Sequence, residues 1–76
     1  MNNKRRKEIQ DIIKRIADAK DDVESVMADE QDSLDNMPEN LENSERYRIS
    51  EEAIDALDDA VESLGDAIES LDKSCE

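Results

Sequence analysis

The chain has 76 residues, 43% of them charged, with one Gly, one Pro, one Cys, a single aromatic (Tyr47) and a formal net charge of −13. So little turn chemistry and so little bulk exclude a conventional globular core, and a chain this short usually needs disulfides, a metal or a second copy. Cys75 has no partner for an internal disulfide and there is no His, which leaves self-association as the staple and a reducing cytoplasm as the expected location.

The amino end, MNNKRRK, has the charge of a signal peptide's first region, but EIQDIIKRIADAK after it interrupts its apolar residues with charges every few positions. Neither a secretory nor a membrane-spanning segment is expected, and no membrane partner. From there the spacing predicts a helix over about 3–35. Its apolar positions form three adjacent heptad columns: Ile9, Ile16 and Val23; Ile12, Ala19 and Val26; Ile13, Met27 and Leu34. That is a broad amphipathic stripe of the kind that faces a helix bundle. Lys20 and Glu30 interrupt it, where a long aliphatic stem can cover apolar surface while its charge reaches water.

Pro38 cannot continue the first helix, so it ends near Asp35 or Asn36 and a turn follows over about 36–43. Two starts compete for the second helix. Ser44 as cap gives a helix over about 44–74, the favoured start; the other uses Ser50 as cap, with Ile49 stapled against Ile54 across it. Ile54, Leu57, Val61, Leu64, Ile68, Leu71 and Cys75 are spaced strictly by three and four, and the row extends back to Ser50 and Tyr47. β-branched residues alternate with leucine as in coiled-coil seams. Ala53, Ala60 and Ala67 form a column beside the seam whose small side chains let a neighbouring helix approach.

The expected fold is therefore all-α: a single domain over 1–76, two long antiparallel helices forming a helical hairpin, two hairpins pairing into a homodimeric four-helix bundle. The dimer or hairpin seam is Ile9, Ile12, Ile13, Ile16, Val23, Met27, Ile54, Leu57, Val61, Leu64, Ile68 and Leu71. Met37, Leu41 and Tyr47 are placed to plug the closed end.

Charge is distributed unevenly: residues 1–20 carry a net +4, 21–43 −9, 44–50 +1 and 51–76 −9. An antiparallel hairpin sets Lys4, Arg5, Arg6, Lys7, Lys14 and Arg15 beside the end bearing Glu62, Asp66, Glu69, Asp72 and Glu76. Each terminus alone has the wrong sign for its helix dipole, and side by side the two neutralise each other. The second helix otherwise stacks like charges at spacing four: Asp55 with Asp59, Asp58 with Glu62, Glu62 with Asp66. Each pair costs a few tenths of a kcal/mol. Twelve of the 23 acids are Asp, a poorer helix former than Glu. A high-salt host could produce such a surface; a use for the acidity is the other explanation.

An enzyme is the weakest reading, because two long helices without His or a Gly-rich loop offer no desolvated pocket, and Ser25, Ser63 and Ser70 have no base to activate them. DEQDSLDNMPEN is rich in oxygen ligands but lacks the order and the Gly of an EF-hand loop, so neither metal nor cofactor is expected. KRRK has no interleaved aromatics, and phosphate repulsion at net −13 argues against direct nucleic-acid binding. Cys75 reads as a frayed seam position. Asp55, Asp58, Asp59, Glu62, Asp66 and Glu69 are the candidate partner-binding face: a rod of carboxylates suited to the basic groove of a nucleic-acid-binding host protein. The competing reading is a structural coiled-coil module that binds a partner helix through its heptad seam, with the acids serving only to solvate it.

The basic KRRKEI start, the acidic stretch Asp29, Glu30 and Gln31, the N-M-P-E-N-L turn at Asn36 to Leu41, the run Ser44, Glu45, Arg46 and Tyr47, and the heptads together resemble a family of short, acidic helical proteins of Gram-positive phages, prophages and mobile elements. The resemblance implies a context and no activity. Small acidic phage proteins are often inhibitors of host or defence enzymes, an analogy that adds weight to an inhibitor acting as a DNA mimic.

Overall fold

The computed structural model describes residues 1–38 and 45–76, and among these it consists of two helices: α1 (Asn3–Asp35) and α2 (Glu45–Ser74). They lie against each other as a hairpin, forming a rod of 59 × 15 × 12 Å. Asn2 caps α1 in an extended conformation, its side-chain oxygen accepting the Arg5 backbone N–H at 2.8 Å. That satisfies one of the orphan donors of the first turn, which contains no acid to complement the dipole. At the other end the Asn36 N–H donates to the Asp32 carbonyl at 3.1 Å, its side-chain amide donates to the same oxygen at 2.9 Å, and Pro38 follows. The expectations for Ser44 as a cap and for Leu41 as part of the plug fall outside the described residues. Ser50 lies inside α2, so it is not the cap, and Ile49 is 55% exposed rather than stapled.

Each helix turns one two-column heptad row toward the other. On α1 the row is Ile9, Ile13, Ile16, Lys20, Val23, Met27, Glu30 and Leu34, continued past the helix end by Met37; on α2 it is Tyr47, Ser50, Ile54, Leu57, Val61, Leu64, Ile68 and Leu71, continued by Cys75. All of these are half-buried except Leu34, which at 8% exposure is the one buried residue among those described. Ile12, grouped with the seam by its spacing, lies beside it at 37% exposure, and Ala19 and Val26 share its exposed column. The physical reason is width: one neighbouring helix covers two heptad columns, and α1 has three.

A charged residue in the seam marks the register. The Lys20 stem runs over Gly65, where an added Cβ would stand 3.7 Å from Lys20 Cε, while its ammonium reaches Glu24 at 3.5 Å. Lys20 thus buries its methylenes and keeps its charge at the rim, as a long side chain at a seam position can. At the loop end, Leu34 and Tyr47 line one groove together with Gln31, Glu51 and Ile54.

The termini share one end of the rod, but the described ion pairs all form within a helix: Arg15 with Asp11, Lys20 with Glu24, Arg48 with both Glu45 and Glu52, and Lys73 with Glu69. Among the described residues no ion pair joins Lys4, Arg5, Lys7 or Lys14 to the end of α2, so the expected neutralisation there has no bridge behind it. Arg6 is half-buried at the next seam position toward the amino end, with its Nε lacking a hydrogen-bond partner.

Candidate functional site

A helix advances about 100° per residue, so α2 can be divided by angle. The seam occupies one third of its circumference. A second third holds all six residues of the expected partner-binding face: Asp55, Asp58, Asp59, Glu62, Asp66 and Glu69, every one exposed. Among the described residues, only Glu69 of these has a cation, Lys73 at 3.5 Å. The like-charge neighbours Asp55 and Asp59, Asp58 and Glu62, and Glu62 and Asp66 follow one another along the same side of one continuous helix. Helix formation over that run is carried by the seam, since its acids oppose it.

The edge nearest α1 adds to this face. Asp55 and Asp58 share a shallow groove with Glu24, Gln31, Met27 and Ile54, so carboxylates from both helices border an apolar floor. Among the described residues, no group of three His, Cys, Asp or Glu is placed to hold a metal ion, and no helix is long and apolar enough to cross a membrane. The acids are too dispersed along the rod to converge on one cation. The groove near the turn, bordered by Glu30, Ser33, Met37, Arg46 and Ser50, contains no nucleophile paired with a base.

The last third of α2 carries the alanine column Ala53, Ala60 and Ala67. Ile49, Ala53, Ala56, Ala60, Ser63, Ala67, Ser70 and Ser74 follow one another by four and three, uncharged throughout, and all but the half-buried Ala60 are exposed. In a chain this rich in charge, a row of eight positions without any was the signal that could have found it. The Ile54 seam, with its larger side chains at the same spacing, dominated the pattern.

No family model matches the chain, and neither a curated protein nor a solved structure matches it.

Proposed function

We propose that the chain is a non-enzymatic, acidic binding module that pairs with a second copy of itself and presents the α2 carboxylates to a basic, nucleic-acid-binding or defence protein in the cytoplasm. In a phage or mobile-element setting it acts as an inhibitor that occupies a groove tuned to phosphates. The observation that carries this reading is the run Asp55, Asp58, Asp59, Glu62 and Asp66, without a cation among the described residues, on an exposed side of a straight rod.

Charge density supports it. A net −13 along 59 Å is roughly one net charge per 4.5 Å, and two copies side by side give roughly one per 2.3 Å, against about one per 1.7 Å for duplex DNA. The single hairpin is a poor imitation of a duplex and the pair a closer one. Replacing Asp55, Asp59, Glu62 and Asp66 by Lys changes the chain by eight charge units and leaves the seam untouched. Proteins retained on the immobilised wild type are expected to be absent from this variant, to elute as salt rises toward 0.5 M, and to be displaced by duplex DNA. Retention that survives the substitutions, and that duplex DNA does not displace, sinks the mimic.

That outcome would favour the second reading, a structural module that binds a partner helix through apolar contacts, for which the exposed Ile12, Val26 and Ile49 speak.

A further inference from the structure

We infer that the two copies join through one side of the hairpin, the side bearing Ile12, Ala19 and Val26 from α1 and the uncharged row Ile49, Ala53, Ala56, Ala60, Ser63 and Ala67 from α2, with the two α2 helices antiparallel about a two-fold axis between Ala60 and Ser63. This rests on the homodimer reading above and adds to it the surface and the symmetry.

The exposed area is large enough for a partner to cover part of the hairpin. A folded monomer of 8.6 kDa exposes about 4,700 Å² by the scaling of surface with mass, whereas this chain exposes 5796 Å². The excess, roughly 1,100 Å², exceeds the ~800 Å² that each partner gives up in a standard interface. Of the four large hydrophobic side chains left exposed among the described residues, Ile12, Val26 and Ile49 stand on this one side; the fourth is Met1.

Charge identifies the occupant as a second copy. Two chains of −13 repel except where the acids are absent, and none of the 23 acids occupies the Ile12 column of α1 or the uncharged row of α2. A basic partner would be drawn to the α2 carboxylates, about a third of a turn away. Symmetry then fits the large residues together. Ile12 precedes Lys20 by eight residues, and Lys20 lies against Gly65, so antiparallel packing sets Ile12 level with about residue 73. Reflected through an axis between Ala60 and Ser63, that level falls on the partner's Ile49. The partner's Ile12 stands level with Ile49 in the same way, as the symmetry of a two-fold interface requires. The axis also carries Arg46 toward the partner's Glu76, at the helix end whose dipole favours a cation. Where the helices cross, Ala60, Ser63 and Ala56 present side chains small enough for close backbone approach.

Sedimentation equilibrium on the intact chain tests this together with cysteine cross-linking. The wild type is expected at twice 8.6 kDa, and Ala60→Asp at 8.6 kDa. In a Cys75→Ser background, Ser63→Cys is expected to form a disulfide-linked dimer on oxidation, while Asp58→Cys, on the opposite side of α2, is not; this arm decides the matter if Ala60→Asp fails to fold. A wild type that sediments as a monomer overturns the homodimer and this interface with it. A wild-type dimer that keeps its mass in Ala60→Asp, or that cross-links through Asp58→Cys and not Ser63→Cys, overturns the interface alone.

Discussion

Gly65 sits in the interior of a 30-residue helix, where glycine costs about 1 kcal/mol relative to alanine through backbone freedom lost on folding. Whether Gly65→Ala recovers that depends on the space beside it. The nearest atom to an added Cβ is Lys20 Cε at 3.7 Å, an ordinary van der Waals distance to a flexible stem. No neighbour has to move, and the methyl gains a small contact with the lysine methylenes. The substitution is therefore expected to stabilise each chain by about 1 kcal/mol, which for a chain of this length raises Tm by roughly 4–8 °C. Thermal unfolding followed by circular dichroism at 222 nm, at matched protein concentration because any dimer makes Tm concentration-dependent, reads it directly. A Tm lower than that of the wild type would mean that α1 and α2 approach more closely at Lys20 than this register allows, and the stated level of every residue along the hairpin would fall with it.

Leu34→Ala removes the most buried side chain described and is expected to cost about 2–3 kcal/mol, at the low end for leucine because its surroundings at the loop end of the rod can collapse; a loss under 0.5 kcal/mol in urea titration would contradict its burial between the two helices. Glu30→Leu adds an apolar side chain to the α1 row at a half-buried position and removes one acid, so it is expected to raise stability by about 1 kcal/mol, and a lower urea midpoint would count against that seam. Added NaCl, from 0.02 to 0.5 M, is expected to raise Tm, because the like-charge runs of α2 and the net −13 are screened while the ion pairs lost are exposed and weak. A Tm that falls with salt would show that the surface pairs outweigh the repulsion.

The hairpin was legible because Ile54, Leu57, Val61, Leu64, Ile68 and Leu71 admit one period, and because Pro38 can only end a helix. Ile12 stands beside the hairpin row for a reason the same pattern contains: three apolar columns on α1 do not say which two face α2 and which is left for another surface, and packing with α2 decides it. Asn2 is hard to recognise from the sequence as the cap of α1, because the turn after it is basic where a helix start ordinarily carries acids. The cation clusters were read as cross-helix partners of the far acids, whereas an Arg or Lys finds its nearest carboxylate one turn along its own helix, as Arg15 does with Asp11 at 3.4 Å. The six acids could be placed on one face from spacing alone. Their separation from the uncharged row needed the seam's orientation, which depends on α1.

The central claim is that α2 divides its surface among three tasks: the seam to α1, an uncharged row to a second copy, and carboxylates to a partner. Sedimentation equilibrium of the Asp55→Lys, Asp59→Lys, Glu62→Lys, Asp66→Lys variant measures that division most directly. The predicted mass is twice 8.6 kDa, because none of the four residues lies on the uncharged row. A mass of 8.6 kDa, beside a dimeric wild type, would place the acids in the interface and contradict the division.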